Sequence, residues 1–327
     1  MLLALCATNI FFGPVDIPVM DALKILSGER VAEHPSWYFI IIHSRVPQVL
    51  TAMLCGAGLA ASGLLLQTAL RNPLAGPSIL GVDSGANLAV AIVLMLMGGT
   101  MTLSGSSIGG HLLIICAAML GASVVMAILA LLSVRLKSPV MLLVAGVMIS
   151  YIASSLISLL QFGATRQGLQ AFTFWGMGGF GAVTLERLPV FSVLMLLGMI
   201  GALLVIKPLD ALLLGDDYAH NLGVNVRLTH RLLLLVTGLL MATTTAFCGP
   251  ITFIGLATPH LARILIGCSS HRTLLPVTML MGSVIALLCL QVCSLPSSGV
   301  LPVNVVTPLV GAPVVLWVVL RSRSSLD

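Results

Sequence analysis

Polar positions are sparse along this chain and cut it into ten apolar blocks, at 1–12, 46–66, 82–97, 112–132, 140–160, 188–206, 232–247, 251–266, 274–293 and 305–320. A membrane span needs roughly 20 apolar residues, so 327 residues leave room for about ten crossings with short connections. The first block is too short: twelve helical residues rise about 18 Å against a hydrocarbon core of roughly 30 Å. It also lacks the basic flank and small-residue cleavage site of a signal peptide. It reads as a truncated first span. The expectation is an all-α polytopic membrane protein of about ten transmembrane helices, with residues 1–327 forming a single transmembrane domain.

Composition agrees. Apolar residues make up 58% and charged residues 8%, against roughly 45–50% and about 25% in soluble domains. Fifteen basic and ten acidic side chains cannot dress a water-facing globule of 34.1 kDa. The mean hydropathy of +1.15 makes lipid the solvent for most of the surface. A soluble enzyme, a disordered chain and a nucleic-acid binder are excluded. The seven cysteines form no CxxC pair and read as small packing residues, with no disulfide framework and no metal site.

Lysine and arginine set the orientation. Alternating the connections puts ten on one side: Arg71, Arg135, Lys137, Lys207, Arg227, Arg231, Arg263, Arg272, Arg321 and Arg323. Lys24, Arg30, Arg45, Arg166 and Arg187 fall on the other. The first set is expected to be cytoplasmic, with the C-terminus inside. Residues 13–44 form the longest outer connection, and its Trp37-Tyr38-Phe39 patch reads as an interfacial anchor. The inner loop 207–231 is the most polar stretch. Asp216 or Asp217 can cap a short helix through Asn221, with Gly223 as its C-terminal stop. Tyr218, Ala219 and Leu222 would give that helix an apolar side for another protein to grip. An ordinary connecting loop fits the same residues.

Two segments break the pattern. One runs from Arg71 through Asn72-Pro73-Leu74-Ala75-Gly76-Pro77 to Gly81 and Asp83; the other runs from Gly249-Pro250 through Gly255 to Pro259-His260. Prolines and glycines at this density forbid continuous helix, and irregular backbone at membrane depth survives only where protein buries it or water lines it. Both share Gly-Pro followed within five residues by glycine, and the spans before them run in opposite directions. Paired breaks of this kind are the trace of an inverted repeat and favour a transporter. Few ionisable residues lie inside spans. Asp83 and His260 sit at the breaks, and His260 also fits a hydrogen-bonded histidine packed beneath a loop. A carrier coupled to protons or sodium would need more. No P-loop is present, and His43-Ser44 and Ser269-Ser270-His271 lack an orienting carboxylate in sequence. The chain is therefore expected to be non-catalytic and cofactor-free, with its energy source on another subunit.

Arg45-Val46-Pro47, the run Gly56-Ala57-Gly58-Leu59-Ala60-Ala61-Ser62-Gly63, Gln67 and Arg71-Asn72-Pro73-Leu74-Ala75 resemble the FecCD-type permeases. The likeness continues through Trp175-Gly176-Met177-Gly178-Gly179, Gly215-Asp216-Asp217-Tyr218-Ala219, Leu222-Gly223 and Gly249-Pro250-Ile251. It closes with Pro259-His260, Ala262-Arg263, His271-Arg272, Leu301-Pro302-Val303 and Gly311-Ala312-Pro313. These are the membrane subunits of ATP-driven (ABC) importers for iron-siderophores, haem and vitamin B12. The resemblance implies a vitamin-B12-importer-permease-like fold, working as a homodimer with a pathway between the copies. It implies two copies of a cytoplasmic ATPase, an extracytoplasmic substrate-binding protein and a metal chelate as cargo. Asp216, Asp217, Tyr218, Ala219, Leu222 and Gly223 would form the ATPase-coupling helix. Asn72, Pro73, Gly76, Pro77, Gly81, Gly249, Pro250, Gly255 and Pro259 would be flexing points of the gate. Arg45 would dock the binding protein, and Ser150, Tyr151, Ser154, Ser155 and Ser158 of the fifth block would face the pathway.

The sequence departs from the family pattern at Gln48, where an arginine is usual, and in the uncharged stretch 291–300, where relatives carry charges. The short first block is a third departure. The reading at this point is the permease subunit of an importer for an iron complex, an iron-siderophore, in the inner (cytoplasmic) membrane. Haem or a cobalamin is the alternative cargo, and an ion-coupled secondary carrier the alternative class.

Overall fold

The computed structural model describes residues 1–28, 34–96, 108–136, 139–295 and 300–323. Arg30 and Lys137 of the charge count, and 296–299 of the uncharged stretch, lie outside them. Among the described residues, 82% are helical and no strand occurs. The helices are α1 (Leu2–Phe11), α2 (Val19–Leu26), α3 (Pro35–Ala69), α4 (Val82–Leu96), α5 (Ile108–Arg135), α6 (Pro139–Gly163) and α7 (Arg166–Gly176). They continue with α8 (Leu188–Leu204), α9 (Ile206–Leu212), α10 (Asp216–Asn221), α11 (Val226–Cys248), α12 (Ile254–Ile266), α13 (His271–Cys293) and α14 (Val303–Arg323).

The expected count of about ten crossings is not reproduced. Among the described residues, five helices are long and apolar enough to cross, or six if α8 and α9, bent by 50°, form one span. The shorter apolar helical stretches among the described residues are α1, α4, α12 and the first part of α14, Val303–Pro313. Two of these, α4 and α12, directly follow the Gly-Pro breaks. In both, an irregular segment precedes the helix.

α3 is the central pillar, buried without interruption from Cys55 to Ala69. Its glycine–alanine run lets α13 approach until the Gly56 and Gly282 backbones touch, which is how packing holds membrane helices that gain nothing from hiding apolar surface. α8, α11 and α12 also pack on α3, while α4, α5, α6 and α7 form a second group joined through α11. The expected outer connection 13–44 is largely helical, because α2 occupies 19–26 and α3 begins at Pro35. Ile17, Ala22, Ile25 and Ile41 make a small separate core there, with Trp37 and Tyr38 against it. α3 widens into a π-helical turn over Phe39–Arg45. The Val46 amide bonds the Ile41 carbonyl five residues back, which eases Pro47 into a continuing helix.

Contacts define two ends. At one, α9 and α10 meet the chain leaving α3 and the start of α11, and α9 also meets the start of α13. At the other, the Trp175–Gly179 turn meets the end of α11 and the start of α14: the Gly179 amide bonds the Cys248 carbonyl (2.8 Å) and the Asn304 side chain bonds Gly176 (3.0 Å). α3 ends and α11 starts at the α10 end, so the spans preceding the two breaks are antiparallel.

Candidate functional site

After α3 stops at Ala69, Arg71 adopts a left-handed φ of 47° and Asn72 accepts the Leu74 amide (2.9 Å), turning the chain back into the bundle. A 3₁₀ turn over Pro77–Leu80 ends on Gly81 at φ 76°, where a Cβ would meet the Gly146 carbonyl and the Ser150 hydroxyl, both at 2.7 Å. The second break starts at Gly249 (φ 75°) and ends on Phe253 at φ 68°, a strained value for an aromatic residue.

The two breaks meet. A Cβ on Gly255 would lie 2.7 Å from the Leu59 carbonyl and 2.8 Å from Pro77, and Gly76 lies against Leu256. Pro259 has no N–H to return to the Gly255 carbonyl, and that oxygen packs into the space left by the missing Cβ of Gly63. Polar contacts reinforce the junction. Gln67 donates to the Leu256 carbonyl (3.2 Å) and accepts from Arg263 (2.8 Å), while His260 donates from Nε2 to the Pro73 carbonyl (2.7 Å). His260 is thus the bonded histidine beneath a loop. Just beyond the first break, in the first turn of α4, buried Asp83 accepts from Thr245 of α11 (2.6 Å), four residues before Gly249.

The polar loop folds into α10 with Gly215 (φ 114°) at its N-cap and Gly223 (φ 84°) just past its end. Neither aspartate caps it. Asp216 is turned to Arg71 instead, at 2.5 Å, linking α10 to the first break, with His230 at 3.9 Å. Ala219 is fully buried and seats the helix, whereas Tyr218 and Leu222, with Leu213 and Leu214 beside them, are exposed. Asp217 is exposed too.

Ser150, Tyr151 and Ser154 of α6 line a cleft of about 390 Å³ with Ser78 and Ile79 of the first break and Ser84 and Asn87 of α4. The Asn87 carbonyl oxygen has no hydrogen-bond partner there. Ser155 and Ser158 lie outside the cleft; Ser158 donates to the Ser154 carbonyl (3.0 Å) on the exposed side of α6.

Arg45 is only 5% exposed, and its guanidinium donates to the carbonyls of Ile10 (2.8 Å), Phe11 (2.9 Å) and Val15. Bonded inward to three carbonyls, it forms a clasp on the end of α1. Sequence reasoning also missed the chain Asp210–His271–Thr68. Asp210 accepts from both the backbone amide (2.7 Å) and Nδ1 (2.8 Å) of His271, whose Nε2 meets the Thr68 hydroxyl at 2.8 Å. The orienting carboxylate absent beside Ser270-His271 in sequence comes from α9, sixty residues away. A histidine opening an apolar helix is the signal that pointed to it.

The sequence model of the FecCD transport family matches residues 1–321. The vitamin B12 import system permease protein BtuC of Klebsiella pneumoniae subsp. pneumoniae is 37% identical over 313 residues, covering 92% of this chain and 90% of that protein. The hemin transport system permease protein HmuU of Yersinia pestis is 36% identical over 296 residues, covering 90% and 87%. A solved structure described as an inward-facing conformation of a metal-chelate type ABC transporter superposes with a TM-score of 0.83 at 31% identity, covering 98% of this chain and 96% of that one.

Proposed function

The chain belongs to the FecCD transport family and is a membrane permease of that family, and from this premise we propose that it is the permease subunit of an ATP-driven importer for an iron-siderophore in the cytoplasmic membrane. It works as two copies with a pair of ATPase subunits at the α10 end and a binding protein at the other. The C-terminus lies on the ATPase side. The observation that carries the reading is α10: a helix seated by Ala219, tied through Asp216 to Arg71 at the mouth of the first break, with Tyr218 exposed on it, Leu213 and Leu214 exposed just before it and Leu222 exposed at its end. A push on α10 reaches Asn72-Pro73 through one ion pair, and the first break bears directly on the second at Pro77 and Gly255. The weak polar wall of Ser150, Tyr151 and Ser154, with Ser158 one turn further, offers a bulky chelate little affinity, so cargo leaves as readily as it enters.

The relatives that import vitamin B12 and haem favour a second reading of the cargo, as a cobalamin or haem. Two measurements test the proposal. C-terminally tagged protein from its own host, extracted in mild detergent, is expected to retain a P-loop ATPase and to lose it when 216–223 is replaced by a Gly/Ser loop. A chain that purifies alone and transports without ATP refutes the importer reading. Uptake of labelled ferric siderophore, haemin and cobalamin by a strain lacking this gene, with and without complementation, identifies the cargo.

A further inference from the structure

We propose that the α10 end of the bundle holds a phosphate-binding pocket centred on Arg263, which takes the phosphate of an anionic lipid headgroup or a free phosphate. A cleft of about 360 Å³ opens there, and its polar lining is Gln67, Thr68, Arg71, Asn72, Arg263, Ser269 and His271. It lies where the end of α3, the first break, the last turn of α12 and the first turn of α13 converge.

The charges in this cleft are unevenly compensated. Arg71 is paired with Asp216, and His271 with Asp210. Arg263 pairs with no carboxylate among the described residues. Its recorded side-chain bond is to a neutral acceptor, Gln67 Oε1 at 2.8 Å. That bond uses one of the five guanidinium donors. Gln67 is itself held by the Leu256 carbonyl, so the arginine is fixed in place rather than free to seek a partner. A half-buried cation is partly stripped of water, and an anion in the adjoining cleft restores what it lost.

The surrounding donors select the anion. Asn72 uses its carbonyl oxygen on the Leu74 amide (2.9 Å), which leaves its NH₂ as the outward group. Ser269, from the α12–α13 connection, adds a hydroxyl at the exposed rim. Donors arriving from α12, the first break and a separate loop suit a tetrahedral phosphate better than a planar carboxylate, which one arginine fork satisfies. Lys207, Arg227 and Arg272 open α9, α11 and α13 at the same end, so the approach is basic. Basic pockets between transmembrane helices are where anionic headgroups bind. The proposal is independent of what the permease carries.

The test uses the full chain, purified and delipidated in neutral detergent, with thermal unfolding followed at constant ionic strength. Inorganic phosphate and short-chain phosphatidylglycerol are titrated separately, with chloride and short-chain phosphatidylcholine as controls. A saturable rise in the midpoint with phosphatidylglycerol alone identifies a lipid site. A rise with inorganic phosphate identifies a site open to the free ion. Arg263→Gln is expected to weaken the apparent affinity about tenfold or more, and Arg263→Lys to retain most of it. Ser269→Asp, at an exposed position that folding tolerates, is expected to abolish the response even if Arg263→Gln fails to fold. No shift with either probe, or a shift that survives Ser269→Asp unchanged, overturns the proposal.

Discussion

Replacing Gly255 by alanine places a methyl group at the one point where both breaks and the central helix converge. The added Cβ would stand 2.7 Å from the Leu59 carbonyl oxygen and 2.8 Å from Pro77 Cγ, where ordinary contact begins at 3.4 Å. Neither neighbour is the flexible end of a long side chain. One is backbone in a fully buried helix, and the other is a ring locked into the 3₁₀ turn. Relief therefore requires α12 or the first break to shift by several tenths of an ångström. Overpacking of this kind costs about 1–3 kcal/mol, or roughly a 5- to 150-fold loss in the folded-to-unfolded ratio. Unfolding in mixed micelles, followed by the fluorescence of the three tryptophans, measures it. Gly163→Ala is the control, since a Cβ there meets nothing within 4 Å. Helix propensity alone makes both changes neutral or mildly favourable. A Gly255→Ala variant as stable as Gly163→Ala would show that the junction is loose, and the contact between the breaks would carry no mechanical weight.

Three further outcomes follow from the same geometry. Asp83→Asn keeps an acceptor for the Thr245 hydroxyl while removing a buried charge, so stability is expected to hold or rise. Asp83→Ala strands that hydroxyl and is expected to cost about 1–3 kcal/mol in the same unfolding assay. Arg45→Leu releases three carbonyls near the end of α1 at a cost on the order of 3 kcal/mol, and mass-resolved maleimide labelling should find Cys6 more reactive. Arg71 and Asp216 are about half exposed, so a double-mutant cycle on unfolding should give a coupling below about 1 kcal/mol. Under the proposed mechanism the same two variants lose ATP-dependent transport, which separates force transmission from stability.

The parts of this fold governed by local chemistry could be read from the chain. Gly76-Pro77 and Gly249-Pro250 mark the breaks because proline and glycine disrupt helix wherever they stand, and Gly223 marks the end of the short helix in 216–223. What escaped depends on partners distant in sequence. Block 82–97 looks like a span, but its helix α4 follows directly on the irregular segment that ends at Gly81, a continuity set by contacts with distant helices. Arg45 looked like an exposed charge because nothing near it in sequence says that the carbonyls of Ile10, Phe11 and Val15 fold back to receive it. Likewise Asp216 was read as a helix cap, the local option, while its distant partner Arg71 took the carboxylate. The junction of Gln67 with Leu256 and Arg263, and that of His271 with Asp210, joins residues whose types are common and whose pairing no motif encodes.

The burial of α3 has a consequence for how the protein is made. This helix emerges early from the ribosome, yet the groups that satisfy it come late: Gln67 waits 189 residues for the Leu256 carbonyl, and the Gly56 surface waits for Gly282. At synthesis rates of about 5–20 residues per second, that is on the order of 10–40 s in the bilayer with its small-residue grooves and polar side chains unmatched. During that interval lipid, or an insertion chaperone, must occupy the surface that α12 and α13 will claim. The pillar of the finished bundle is therefore its least protected segment during biogenesis, and substitutions along 55–69 are expected to reduce yield before they alter transport.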